Sequence, residues 1–227
     1  MELVTLDELG LESREKGFGL TSLNLTLSEG DTYSICTDSP EHAHLLVKGI
    51  ATLSIPKKGK IFFREQEVDF SNREALLAYK KNVGYVAADA TLIKKATAFD
   101  NLMLMRYYFE EYIPAEMTHS VLALCRLFGL EAKLKRYPWQ LEPEEIRLFV
   151  IIRELAKNPA ILLIERPGDY LQDESLGILK NVLQDWSTKD QALVLFSAHQ
   201  DMILALCRQQ INILKGQVTT SDLNPPP

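Results

Sequence analysis

The chain has 227 residues and a net charge of −6 at neutral pH, which suits one large domain with a substantial core and gives no electrostatic footprint for nucleic acid. No apolar run approaches the ~20 residues that a membrane-crossing helix needs, and no secretory signal is recognisable, so we expect a cytoplasmic protein without a nucleic-acid partner. The three isolated cysteines favour a reducing compartment and argue against a zinc site.

The first eighty residues predict a β-rich region followed by a helix. Alternating apolar residues within 1–31 indicate two strands. The run 32–36 predicts a third strand, residues 61–70 a surface hairpin, and residues 71–81 a helix that begins at a Ser71 cap.

The middle of the chain, from residue 99 to residue 134, predicts helices. The first of them is rich in methionine and aromatic residues, which are Met103, Met105, Tyr107, Tyr108, Phe109 and Tyr112. Two interpretations are open for this cluster. It forms either the core of a helical subdomain or a soft cleft that receives a partner's helix, because both use these residue types.

The stretch 137–167 organises the rest of the chain. Pro143 suits a first helical turn because its missing N–H would be unpaired there, and apolar residues follow at helical spacing. The uninterrupted apolar run 160–164 then predicts a parallel strand buried on both faces. Glu165 and Arg166 come at the carboxyl end of this strand, the usual position of ligands in open α/β sheets.

The last sixty residues predict further alternation of helix and strand. A helix over 173–186 precedes a buried strand over 192–196, which leads to His199. A last helix and a strand around Ile211 follow. The tail 219–227 ends in three prolines and is predicted to be disordered.

The stretch 137–167 resembles the signature helix and Walker B strand of the ATP-binding subunits of ABC transporters. That family has Y-P-x-x-L-S-G-G-Q, a helix ending in A-R-A-L-A, a short link with proline, four apolar residues and D-E-P. The residues in register are Tyr137, Pro138, Leu141, Arg153, Leu155, Ala156, Pro159 and Pro167. The resemblance covers nearly the whole chain. It implies a single ABC ATPase-like domain over 1–227, with an α/β P-loop NTPase-like fold, a mixed sheet flanked by helices, an antiparallel β subdomain and a helical insert over about 90–157.

The resemblance places a degenerate phosphate loop after the strand 32–36. A P-loop, G-x-x-x-x-G-K-[ST], uses glycines for close N–H approach to phosphate, a lysine for the β/γ charge and a hydroxyl for magnesium. Its positions in this chain are Thr37, Asp38, Ser39, Pro40, Glu41, His42, Ala43, His44 and Leu45. Loss of several charge-assisted hydrogen bonds of ~1.5–3 kcal/mol each predicts that nucleotide binding is weakened by orders of magnitude. The two histidines lack further ligands nearby, so no metal site is predicted.

The family's other motifs are altered in the same way. Ala88 stands where the Q-loop has glutamine, and Glu165-Arg166 stands where the Walker B strand has Asp-Glu. The Ser-Gly-Gly-Gln of the signature is replaced by Glu142, Pro143, Glu144 and Glu145. His199 matches the switch histidine, and its alternative role is a hydrogen-bonded histidine at a strand end. Phe18 lies near the adenine-stacking position, and packing is the alternative for its ring.

The resemblance implies an ABC transporter subunit whose ATPase chemistry is lost, a structural or regulatory pseudo-ATPase that needs no cofactor. It would bind membrane-spanning permease subunits at the inner face of the membrane and pair with itself or with another ABC ATPase. Residues 89–102 resemble the ATPases of lipid importers that work with mammalian-cell-entry proteins, which implies a lipid cargo. Two alternatives are open: a divergent working ATPase that uses ATP and Mg²⁺, and a soluble adaptor outside transport.

The charge of the signature helix suggests a different bridge between subunits. Three glutamates over 142–145 compensate the partial positive charge of the helix N-terminus, so an anion is disfavoured there. Arg166 of a second subunit is one candidate cation for this cluster. The alternative is that Arg166 contacts Asp38, Glu41 or Asp169 of its own chain.

Overall fold

The computed structural model describes residues 1–13, 19–109, 117–188 and 190–223. The strands are β1 (Glu2–Leu11), β2 (Leu20–Ser28), β3 (Thr32–Thr37), β4 (Lys58–Phe63), β5 (Gln66–Glu67), β6 (Val83–Val86), β7 (Ile161–Glu165), β8 (Ala192–Phe196), β9 (Gln209–Leu214) and β10 (Gln217–Asp222). The α-helices are α1 (Pro40–Ile50), α2 (Arg73–Lys81), α3 (Ala98–Phe109), α4 (His119–Leu127), α5 (Pro143–Leu155), α6 (Asp173–Ser187) and α7 (Gln200–Leu206).

A six-stranded sheet with the order β10-β9-β3-β8-β7-β6 forms the centre of the molecule. Its neighbours are parallel except for the pair β9 and β10, which is antiparallel. Residues 161–164 of β7 are completely buried, as the uninterrupted apolar run predicts for a strand covered on both faces. The carboxyl ends of β3 and β7 lie at one edge of this sheet, and they carry the residues of the predicted phosphate site.

A second, antiparallel sheet with the order β2-β1-β4-β5 packs against α1 and one face of the central sheet. Its alternating leucines, such as Leu23, Leu25 and Leu27, point into the shared core. Tyr79 of α2 closes this core, and its hydroxyl donates to the carbonyl oxygen of Ile50 at 2.6 Å. The predicted antiparallel β region and surface hairpin are therefore confirmed.

Helices α3, α4 and α5 lie between β6 and β7 along the chain and share a second core with α6 and α7. Phe149, which faces this core from α5, is completely buried. Pro143 occupies the first turn of α5, where its missing N–H removes no helical hydrogen bond. The mixed sheet, its flanking helices and the antiparallel sheet confirm the expected fold class.

Two details of the sequence prediction are wrong. Helix α2 is capped by Asn72, whose side-chain oxygen accepts from the N–H groups of Glu74 and Ala75 at 3.0 and 3.2 Å, while Ser71 binds Asp69. The tail is ordered as far as residue 222, because β10 pairs with β9 along its whole length. Residues 224–227, Phe18 and Tyr112 lie outside the described residues.

Within the described ranges, no helix is long and apolar enough to cross a membrane. The longest helix in the described part of the chain, α6, has 15 residues and carries Asp173 and Glu174 in its first turn. A membrane-spanning helix needs ~20 apolar residues.

Gly59 provides a test of the contact between β4 and β1. Its φ is +77°, and a Cβ atom there would lie 2.4 Å from the carbonyl oxygen of Asp7. We expect Gly59→Ala to lower the free energy of unfolding by more than about 2 kcal/mol, because both the left-handed backbone and the clash are unfavourable. Denaturant unfolding measures this.

The matched control is Gly129→Ala, because Gly129 has a φ of +68° and open space around its missing side chain. Only the backbone cost of about 1 kcal/mol applies there. Equal losses in the two variants would contradict the proposed close approach of β4 to β1.

Candidate functional site

The link between β3 and α1 contains only Asp38 and Ser39, because α1 already begins at Pro40. The Thr37 hydroxyl donates to the Ser39 carbonyl at 2.8 Å, and its oxygen accepts from the Ser39 N–H at 3.1 Å. The Asp38 N–H donates to the Ile213 carbonyl at 3.3 Å. The backbone donors of this link are thus used within the chain, whereas a phosphate loop leaves such donors open to an anion.

The Asp38 carboxylate closes the link further. One oxygen accepts from the Lys215 N–H at 2.8 Å, and the other lies 3.2 Å from Nδ1 of His42. The hydrogen bond from Lys215, followed by the contact with His42, lowers the pKa of Asp38. A carboxylate therefore lies where the family presents glycine N–H groups to phosphate.

Ala43 stands at the position of the P-loop lysine and is completely buried in the core between α1 and the sheets. Leu45 and His42 are also buried, whereas Glu41 is half-buried and Pro40 is exposed. The position of the family's phosphate-binding cation thus faces the core and not the site.

A direct side-chain contact joins His44 to Glu165. Nδ1 of His44 lies 2.9 and 3.1 Å from the two carboxylate oxygens of Glu165, which is only 2% exposed. The Tyr85 hydroxyl donates to Oε1 of the same carboxylate at 2.7 Å. Burial, aided by the charge of Glu165, raises the pKa of Tyr85, so its hydroxyl stays protonated and donates.

A buried arginine holds the backbone around this carboxylate. Arg147 of α5 is 2% exposed; its guanidinium donates to the carbonyl oxygens of Ala87 at 2.7 Å and Arg166 at 3.0 Å, and also to that of Glu165. Burial lowers the pKa of Arg147, and the charges of Asp169 and Glu165 oppose this effect. Arg147 thus ties α5 to the ends of β6 and β7.

Sequence reasoning missed three residues of this network: Tyr85, Arg147 and Glu154. For Arg147 and Glu154 a signal existed, since each is a charged residue among the apolar positions of a buried helix. Glu154 is 5% exposed, contacts Arg153 and Lys157 and accepts from the Tyr85 N–H at 3.2 Å. For Tyr85 no pattern in the sequence indicated a polar partner.

Arg166 and Glu165 separate at the end of β7. Glu165 points into the site, whereas Arg166 adopts a left-handed φ of +47° and turns outward. The guanidinium of Arg166 lies 2.8 Å from the Asp169 carboxylate. The own-chain alternative for Arg166 is therefore confirmed with Asp169 as the partner, and Arg166 contacts neither Asp38 nor Glu41.

The acidic N-terminus of α5 is also compensated within the chain. Glu145 lies 3.0 Å from the Lys133 ammonium and accepts from the Glu142 N–H at 3.0 Å. Glu144 accepts from the Gln172 N–H at 2.9 Å. The signature positions therefore bind their own chain, and Pro143 is exposed beside them.

His199 and Ala88 flank the site without joining the His44–Glu165 contact. The His199 N–H donates to the Ser197 hydroxyl at 3.1 Å, and its ring packs against Gly168, where an added Cβ would lie 2.3 Å from Nε2. Ala88 is half-buried just after β6. In the described part of the chain, no group of three or more His, Cys, Asp or Glu residues could hold a metal ion.

Asp38 gives the site a pH-dependent contribution to stability. Because its folded-state pKa lies below the unfolded value of ~3.9, its contribution is complete above that pH and is lost as the pH falls through the folded pKa. We expect wild type to lose stability towards pH 3 more steeply than Asp38→Asn. The control is Asp185→Asn, an exposed position, which should follow wild type. Identical pH profiles for wild type and Asp38→Asn would contradict the Asp38–Lys215 contact.

Arg147→Met tests the tie between α5 and the two strands. The variant leaves buried carbonyl oxygens without a donor, so the free energy of unfolding should fall by about 2–5 kcal/mol. Arg126→Met, which removes an exposed ion pair with Glu131, should change it little. If the two variants unfold at the same denaturant concentration, the buried arginine does not stabilise the fold as described.

No protein-family model matches the chain. The chain is 26% identical over 201 residues to the methionine import ATP-binding protein MetN of Mannheimia succiniciproducens, covering 88% of this chain and 58% of that protein. It is 23% identical over 223 residues to MetN 1 of Enterococcus faecalis, covering 98% and 62%. It is 25% identical over 188 residues to an uncharacterised ABC transporter ATP-binding protein of Methanocaldococcus jannaschii, covering 82% and 84%.

These relatives do not support the lipid-importer resemblance, since two of the three carry methionine-import names. The chain spans about three fifths of the length of the two MetN proteins. Their activity and partners therefore belong to longer proteins.

The solved structures define the fold. The chain matches a dimeric ATP-binding cassette in a post-hydrolysis state, bound to ADP and Pi, with a TM-score of 0.87 and 20% identity over 98% of this chain and 100% of that one. A nucleotide-free ATP-binding cassette from an ABC transporter matches with a TM-score of 0.74 and 16% identity over 98% and 92%. The chain therefore has the ATP-binding cassette fold, and over most of its length its sequence is similar to ATP-binding proteins of ABC transporters.

Proposed function

We propose that the chain is an ATP-binding-cassette subunit of a membrane transporter that has lost ATPase chemistry and serves as a structural or regulatory partner. The contact of His44 with Glu165 carries this proposal. These two residues stand where the family places the magnesium-binding hydroxyl and the Walker B carboxylate. Their direct contact joins the side chains between which the family holds Mg²⁺.

The charges around this contact support the same proposal. A triphosphate would approach the carboxylates of Asp38, Glu41 and Glu165 with no lysine at the position of Ala43. It would also find the donors of the link between β3 and α1 already bonded to Thr37 and Ile213. Breaking such contacts costs about 1 kcal/mol or more each, and the like charges add to that cost.

The working-ATPase alternative is favoured by one observation, the ATP-binding names of the relatives. That alternative requires ATP and Mg²⁺ to displace His44 from Glu165. We place it second because the lysine position is buried. In either case the permease, and not this chain, would recognise the transported substrate, so neither methionine nor lipid is assigned to this chain.

A groove beside the site supports a membrane-subunit partner at the inner face of the membrane. This docking groove is a cleft of about 320 Å³ lined by Ala51, Leu53, Leu77, Lys80, Val83, Tyr85, Met105, Tyr108, Glu154 and Lys157. Leu53 and Tyr108 are 54% and 55% exposed at its rim. An apolar groove with a few charged groups suits the amphipathic helix of a partner, and the resemblance implies a permease helix here. Met103, by contrast, is buried in the core. Within the described part of the methionine and aromatic cluster, Met103 thus belongs to the core, whereas Met105 and Tyr108 line the groove.

Pairing with a second cassette, identical or different, belongs to the same proposal. The fold matches chains solved as dimers. Since Arg166 and the glutamates of α5 bind their own chain, a nucleotide-free dimer need not use the Arg166 bridge.

Sedimentation of wild type and Arg166→Glu should therefore give the same monomer–dimer balance.

Isothermal titration calorimetry tests the loss of nucleotide binding. We expect no heat of binding with ATP and Mg²⁺ at micromolar to millimolar concentration and no ATP turnover, whereas a cassette of the kind solved with ADP and Pi serves as positive control. A micromolar dissociation constant, or turnover that disappears in Arg166→Ala, would overturn the proposal.

Ala43→Lys sharpens the same test. Because Ala43 is completely buried, the lysine should destabilise the fold by about 1–3 kcal/mol through overpacking and should not restore binding. Binding restored by this single change would show that the rest of the phosphate site is intact.

The groove is tested by purifying the tagged chain with co-expressed membrane subunits. Leu53→Asp and Tyr108→Ala should each reduce the recovered permease at least tenfold, because hot-spot truncations cost ~2 kcal/mol or more. Leu204→Asp, on the exposed face of α7, is the matched control and should leave recovery unchanged. Full recovery with both groove variants would exclude this docking site.

A further inference from the structure

Tyr85 belongs to two regions of the molecule. Its hydroxyl donates to the Glu165 carboxylate at 2.7 Å, inside the former phosphate site. The same residue lines the docking groove, beside Leu77 and Met105. Among the described residues that line the groove, Tyr85 is the one whose side chain hydrogen-bonds Glu165.

The backbone of Tyr85 is held from the groove side. Glu154, which also lines the groove, accepts from the Tyr85 N–H at 3.2 Å. The Glu154 carboxylate is in turn paired with Arg153 at 3.2 Å and with Lys157. A change in the groove wall therefore acts on Tyr85 at its backbone and at its ring.

A continuous chain of contacts thus runs from the groove through Tyr85 and Glu165 to His44. Each step is short, partly or fully buried and specific in geometry, so it is little weakened by solvent. Ala88, where the family has its Q-loop glutamine, offers no polar group for such a link. The link in this chain lies three residues earlier, on β6.

We propose that Tyr85 couples the docking groove to the former phosphate site. A helix docked in the groove packs on the Tyr85 ring and stabilises the hydroxyl on Glu165, which holds the carboxylate in the orientation that contacts His44. By thermodynamic linkage, an intact His44–Glu165 contact strengthens docking by the same factor. The element with two arrangements is the Tyr85 side chain, with its hydroxyl on Glu165 or released from it. The identity of the docked helix rests on the proposed function, whereas the coupling is a property of this chain alone.

The coupling is measured by NMR of the full chain with ¹³C-labelled histidine, at fixed pH. The chain has four histidines, and His44→Gln assigns the His44 signal. Leu77→Trp introduces a large side chain into the groove as a built-in occupant. We expect it to displace the His44 signal when residue 85 is tyrosine and to leave that signal in place when Tyr85→Phe is added, since phenylalanine keeps the ring and removes the hydroxyl.

Controls separate coupling from general disturbance. Leu204→Trp, on the exposed face of α7, should leave the His44 signal in place in both backgrounds. Met105→Trp provides a second occupant of the groove if Leu77→Trp does not fold. Equal displacement with and without the Tyr85 hydroxyl, or no displacement in either background, overturns the proposal. The NMR measurement needs neither ATP nor a permease. ATP binding in the calorimetric test would therefore overturn the proposed function, whereas the proposed coupling through Tyr85 is overturned only by the NMR outcomes.

Discussion

A buried carboxylate sets the main constraint on this molecule. Moving an ionised carboxylate out of water costs several kcal/mol unless it is paired and hydrogen-bonded. Glu165 meets this requirement through His44 on α1 and Tyr85 on β6, and Arg147 on α5 holds the carbonyl of the same residue. The carboxylate charge of Glu165 therefore fixes α1 and β6 against the end of β7, and the backbone carbonyl of the same residue fixes α5.

The same constraint explains why the charged groups of the site are satisfied by the chain itself. In a nucleotide-binding cassette, open N–H groups, a lysine and a metal ion surround the phosphates and would repel one another or stay unsatisfied without them. In this chain, side chains satisfy the site: Asp38 accepts from Lys215, and Glu165 contacts His44. The charged groups of the site are thus paired within the chain itself, as the proposed loss of nucleotide binding requires.

Much of the fold was predictable because apolar runs and helix stops are local signals. The strand 160–164 and the proline start of α5 needed no knowledge of distant contacts. The cap of α2 was misplaced because Ser71 and Asn72 are both good capping residues. The Ser71 hydroxyl binds Asp69, so Asn72 is the residue that caps the helix. The ordered end of the chain was missed because β10 is polar and mostly exposed, and its pairing with β9 comes from the backbone.

The site was less predictable, since its contacts join residues far apart in sequence. The resemblance identified which motif residues are replaced, but not that Ala43 faces the core or that Glu165 and Arg166 point in opposite directions. Tyr85 and Glu165 are 80 residues apart, and His44 and Glu165 are 121 apart. The periodicity of apolar residues along the sequence does not indicate contacts between positions so far apart.

The two-residue link between β3 and α1 has an evolutionary consequence. Because α1 begins at Pro40, the later motif positions lie in a helix and not in a loop. Under the proposed loss of ATP binding, a phosphate loop at these positions would require the first turn of α1 to unwind, glycines to be gained and the core around Ala43 to be repacked. Each of these changes would act on a packed helix start, so the fold itself would oppose their accumulation one at a time.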